Sequence, residues 1–152
     1  MYDLETMDKR LIIFGNLFLI ANRLQAAMDS KMADITAKQW FLIMMLGMFD
    51  EPPTLKELAR MCDSSHQNIK QIALKLQAKG FVRIEKDPKD ARALRISATA
   101  KCAEWDAMNA EASARFIDAM FGDLTREEIS ILNGSLFKIY ERLEKIQNET
   151  HA

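Results

Sequence analysis

The 152-residue chain holds few of the residues on which cross-linking or catalysis depends. Two cysteines cannot build a disulfide framework, so a reducing, cytoplasmic setting is expected. Five glycines and three prolines are too few for a collagen-like or low-complexity chain. The only histidines are His66 and His151, and neither stands near a nucleophile or a second ligand. Cys62 and Cys102 lie forty residues apart with no CxxC spacing, so no zinc pattern exists. A glycine-rich phosphate loop is also missing. No enzyme, cofactor or metal is therefore expected. The longest early apolar run, Leu11 to Ala21, contains Asn16, is followed by Arg23, and is too short to span a bilayer. Asp3, Glu5 and Asp8 precede it against only Lys9 and Arg10, which is not the positive lead of a secretory signal. No membrane partner is expected. What the chain does have is 49% apolar and 28% charged residues, enough for one domain with a real core.

The net charge of −1 conceals a division. Residues 54–101 carry eleven Lys and Arg against five acids, a balance of +6. The remainder carries ten bases and seventeen acids, a balance of −7. A basic middle between acidic ends is either a solvated charged surface or a face for a polyanion.

Hydrophobic spacing places long helices at both ends. Leu4, Met7, Leu11, Phe14, Phe18 and Ala21 step 3-4-3-4-3 along one helix face, as do Ile129, Leu132, Leu136, Ile139, Leu143 and Ile146. Either these helices pack on each other within one chain, or they form a dimer interface. Their wide seams favour a homodimer. Between them, Thr36-Ala37-Lys38-Gln39 and Thr54-Leu55-Lys56-Glu57 are capping boxes. Trp40 to Met48 is apolar almost all round and predicts a central, buried helix. The chain breaks near Asp63 and restarts as a helix capped by Ser64 or Ser65, ending at Gly80. Phe81 to Lys86 and Ala93 to Ala98 alternate as two strands about a polar, Pro88-containing tip. A long helix follows from about Ala100 to Phe121, and Leu124 to Ile129 starts the last one.

A short helix, a turn, a second helix and a basic hairpin predict a mainly α fold with a small β-hairpin wing: a winged helix-turn-helix lobe over residues 36–99 and dimerisation helices over 1–35 and 100–152 of a single domain. In the second helix Ile69, Ile72, Ala73 and Leu76 share the face to be buried. The outer face offers Gln67 and Gln71, flanked by Asn68, Lys70 and Lys75. Amides can bond an adenine edge, and lysines a guanine or a phosphate. At the hairpin tip Lys89, Arg92 and Arg95 suit a minor groove, with Asp90 expected to hold Arg92 by an ion pair. Double-stranded DNA is the expected partner. An ordinary polar helix face and a plain charged turn are the alternatives.

Leu58-Ala59, Ser65, Leu76, Lys79-Gly80-Phe81-Val82, Asp87-Pro88-Lys89-Asp90-Ala91-Arg92 and Ser97-Ala98-Thr99 resemble the MarR (multiple antibiotic resistance regulator) family, without a gap from Leu58 to Thr99. The resemblance implies a homodimeric winged-helix repressor that binds a pseudo-palindromic operator and answers small aromatic ligands or oxidants. The family's wing commonly reads Asp-Arg-Arg, and here Ala91 replaces the middle Arg. It places Ser65, His66, Gln67, Asn68, Lys70 and Gln71 at recognition-helix positions. Thr54 and Ser64 complete the expected DNA-binding set.

Relatives bind effectors between the dimer core and the DNA-binding lobe. Phe14, Phe18, Trp40, Met44 and Trp105 are the candidates for such a pocket, with ordinary core packing as the alternative. Cys62 ends a core stripe and is expected to be buried and inert, whereas Cys102 sits in a first helical turn where the helix dipole favours a thiolate. Peroxide-sensing relatives carry their reactive Cys in the first helix, which has none here. A thiol-based switch on the same fold and a winged-helix module that docks an acidic protein are the rival functions.

Overall fold

A computed structural model describes residues 6–150. Its elements are α1 (Lys9–Asp29), α2 (Ala37–Leu46), α3 (Leu55–Met61), α4 (His66–Ala78), β1 (Val82–Lys86), β2 (Leu94–Ala98), α5 (Ala100–Phe121) and α6 (Arg126–Thr150). The fold is mainly helical with one antiparallel hairpin, in register from Val82 opposite Ala98 to Lys86 opposite Leu94. Two compact units divide the chain, one through Trp105 and the other from Asp106.

Local rules set most boundaries. Thr36 and Thr54 close reciprocal boxes with Gln39 and Glu57, so α2 and α3 start with their first N–H groups satisfied. Thr125 and Glu128 do the same for α6. Of the two serines that could cap α4, Ser65 does so, accepting the Asn68 N–H at 3.2 Å. Gly80 follows α4 with φ +79°, the left-handed stop that glycine allows. Asp63 adopts φ +49° between α3 and α4, a conformation Asp tolerates better than most side chains.

The core of the first unit joins α2, α3, α4, the hairpin and the start of α5. Leu58, Ala73, Leu76 and Ile96 are fully buried, and Phe81 meets Trp105 edge-to-face with ring centroids 5.9 Å apart. α2 is less enclosed than its sequence predicts. Leu42 and Leu46 are buried and Trp40, Ile43 and Met45 pack partly against the core, but Phe41 and Met44 face outward, as does Met48 just past the end of the helix.

α1 and α6 bury no residue. The seam expected on the first helix starts later, because Asp8 accepts the Arg10 N–H and caps the helix there. Met7 therefore precedes the helix, and Leu4 lies outside the described residues, as does His151. α1 is also the one helix among the described residues long and apolar enough to cross a membrane, with mean hydropathy 1.5 over eighteen residues. The apolar run ends at Ala21, whereas the helix continues past Arg23 with no further charge before its last residue, Asp29. Length alone thus excludes nothing for α1.

Candidate nucleic-acid interface

α3 and α4 pack on one another through Leu58, Ala59, Ile69 and Ala73, which fixes the outward face of α4. Gln67, Asn68, Gln71 and Lys75 are exposed there, with His66 and Ser65 at its start and Lys70 half-buried at its side. The amides differ in what they do. Asn68 donates from Nδ2 to Ser64 Oγ at 2.9 Å, tying its side chain to the turn. Gln67 and Gln71 make no hydrogen bond to the chain among the described residues. Thr54, expected near DNA, is half-buried in its cap: its Oγ accepts the Glu57 N–H and donates to the Glu57 carboxylate. The Thr54 backbone N–H, which donates to the same carboxylate at 2.7 Å, and then the Thr54 hydroxyl hold the Glu57 carboxyl below its ordinary pKa.

The wing is built more firmly than its polar sequence indicates. Asp87 is buried, and accepts the Lys89 N–H at 2.7 Å and Arg95 Nε at 2.8 Å. The Lys89 N–H, then Arg95, hold its carboxyl below the usual aspartate value. Arg95 also donates through Nη1 to the Pro52 carbonyl, and the Ile96 N–H donates to the Pro53 carbonyl. The segment after the two prolines thereby becomes a short third edge of the hairpin, with a bridge from Thr54 to Arg95. This corrects the placement of Arg95 at the tip: its guanidinium is spent on anchoring the wing, because the two-residue strand period turns it toward Asp87. Asp90 differs from expectation too. Its carboxylate accepts the Arg92 backbone N–H at 3.0 Å, a local turn, and forms no ion pair with the guanidinium. Lys89 and Arg92 are left exposed at the tip.

A second network, unforeseen from the sequence, joins α2 to the end of α4. Gln39 is buried, and its Oε1 accepts Lys79 Nζ at 2.9 Å and the Thr36 N–H at 3.1 Å. Lys79 Nζ also donates to the Asp34 carbonyl, and Trp105 Nε1 donates to the Asp34 carboxylate at 3.1 Å. Lys101 donates to the Lys79 carbonyl and lies over the Phe81 ring, 5.0 Å from its centroid.

A cleft of about 380 Å³ opens beside the α3–α4 turn. Leu24 and Met28 of α1, Trp40 and Phe41 of α2, and Asn68 and Ile72 of α4 line it, with Cys62 and Ser64 at the turn. Of the five residues expected in a pocket, Trp40 lines this cleft. Phe14 and Phe18 stack edge-to-face on the exposed side of α1, with centroids 5.3 Å apart. Met44 is exposed on α2, and Trp105 belongs to the core. The thiols are reversed from expectation. Cys102 is the buried one, packed in the core, so an oxidant reaches it only if the core opens. Cys62 caps α3 and faces the cleft half-exposed, where burial pushes its thiol pKa up and lowers its reactivity.

Residues 33–93 match the model of the MarR family. No curated protein matches the chain. Solved structures do. A MarR protein from Peptoclostridium difficile superposes with TM-score 0.82 at 20% identity, covering 95% of this chain and 94% of that one. An organohalide-sensing transcriptional regulator bound to 2,4-dichlorophenol gives 0.81 at 19% identity, with coverages of 93% and 85%. The S. aureus MepR–DNA complex gives 0.78 at 19%, with coverages of 86% and 97%. At these identities the likeness establishes the winged-helix fold.

Proposed function

We propose that the chain, whose residues 33–93 match the MarR family model, is a MarR-type DNA-binding transcriptional repressor acting as a homodimer on a pseudo-palindromic operator. One observation carries the reading: α4 turns an acid-free face of amides and lysines outward, beside a wing whose tip exposes Lys89 and Arg92. Such a helix fits a major groove, and such a tip fits the adjacent minor groove or its phosphates. The exposed apolar side chains of α1 and of α6, among them Phe14, Phe18, Leu136 and Leu143, support pairing with a second copy. Two α4 helices about 34 Å apart then meet successive turns of one duplex face.

The cleft supports response to a small aromatic ligand. Its walls are apolar, and it touches Ser64 and Asn68, which hold the start of α4. A ligand acts only by preferring one arrangement of that turn over another. The similar regulator bound to 2,4-dichlorophenol makes a chlorinated phenol a sensible first probe. The test is a gel shift with mixed genomic fragments at low and moderate salt. Discrete fragments retained at moderate salt support the reading. Binding to no DNA at either salt contradicts it and leaves the protein-docking module.

A further inference from the structure

We propose that Gln67 and Gln71 are the base-reading residues of α4, each taking one adenine, and that the two adenines stand two base steps apart in each half-site. This rests on the DNA-binding reading above and goes beyond it by naming what is read. Four amide side chains lie on α4, at positions 67, 68, 71 and 77. Two are already committed. Asn68 is tied to Ser64, and Gln77 Oε1 accepts the Ile84 N–H at 2.8 Å, holding the base of the wing. The other two, Gln67 and Gln71, are exposed and retain both their acceptor and their donors.

Their spacing is that of one helical turn. Residues four apart project within about 40° of each other and are separated by about 6 Å along the axis. Bases rise about 3.4 Å each, so a helix lying along the groove sets these two side chains close to two steps apart. Their chemistry selects the base. An amide matches the N6 donor and N7 acceptor of adenine, whereas guanine calls for two donors and cytosine for an acceptor such as a carboxylate. α4 contains no Arg, Asp or Glu. Its two cations, Lys70 and Lys75, flank the amide line on either side, where phosphates run.

The experiment is selection of bound duplexes from a random pool by the full-length wild-type chain and by Gln67→Ala, Gln71→Ala and Asn68→Ala. The wild type is expected to enrich two A·T pairs two steps apart per half-site. Each Gln variant should lose that preference, by roughly 5- to 150-fold, at its own position only. Asn68→Ala should keep both preferences. All three positions are exposed, and unchanged circular dichroism checks the fold. Selected sites without this A·T pair, or Gln variants that select the wild-type sequence, overturn the assignment while leaving DNA binding standing. Failure of the wild type to enrich any sequence overturns both.

Discussion

α2, α3, α4 and the hairpin bury a continuous apolar core, whereas α1 and α6, at 21 and 25 residues, bury nothing. The first region has the contacts of a finished structure: capped helices, an anchored wing, and no buried side-chain polar atom among the described residues without a partner. The second has long helices, α1 apolar on most sides and α6 amphipathic, with apolar side chains in the open, such as Phe18 at 61% and Leu143 at 52% exposure. Folding one chain satisfies the reading lobe. The long terminal helices need an apolar partner before their surface leaves water. The difference separates what holds the α4 face in shape from what would set the distance between two such faces in the proposed homodimer.

The contrast breaks most visibly in the core. Leu58→Ala is expected to cost about 2–5 kcal/mol of stability, because Leu58 is fully buried and its loss leaves a cavity. Urea denaturation at fixed protein concentration measures it, and a cost near zero would mean the lobe is not the stable unit. A charge on α1 should do the opposite. Phe14→Asp is expected to preserve helix content while weakening self-association by about 2 kcal/mol or more, as read by sedimentation equilibrium. An unchanged association constant would remove α1 from the interface.

Smaller effects sharpen the division inside the lobe. Arg92→Ala should weaken binding to all DNA sequences alike and lower the salt slope by about one. A loss confined to one sequence would make Arg92 a base reader. The wing's anchor is expected to be acid-sensitive. Above the ordinary aspartate pKa of about 3.9 the Asp87 carboxylate is charged whether the chain is folded or not, and its bonds to Lys89 and Arg95 contribute fully. As pH falls through the lowered folded value the carboxylate takes a proton and that contribution fades. Amide exchange at Arg95 and Ile96 should therefore accelerate, relative to the core of α4, only below about pH 4. Asp87→Asn should show the faster exchange already at pH 7.

Features determined within a few residues are legible in the amino-acid order alone. The boxes at Thr36, Thr54 and Thr125, the stop at Gly80, the alternating strands and the buried stripe of α4 all depend on neighbours in sequence. What escapes depends on distance along the chain. Gln39 reads only as the last member of a capping box until Lys79, forty residues on, is seen to donate to it. Trp105 reads as an effector-pocket residue until Asp34, seventy-one residues away, claims its N–H. Arg95 reads as one more wing cation because nothing local reveals that Pro52 and Asp87 converge on it. The thiols mislead for a related reason. Position within a helix does not reveal which side the core lies on, and it lies on that of Cys102.

The most direct measurement is the number of chains on one selected duplex, taken by sedimentation velocity with labelled DNA. Two chains per site, with Phe14→Asp shifting the complex toward one, is the predicted result. A single wild-type chain on a full-affinity site would contradict a paired reader built from this fold.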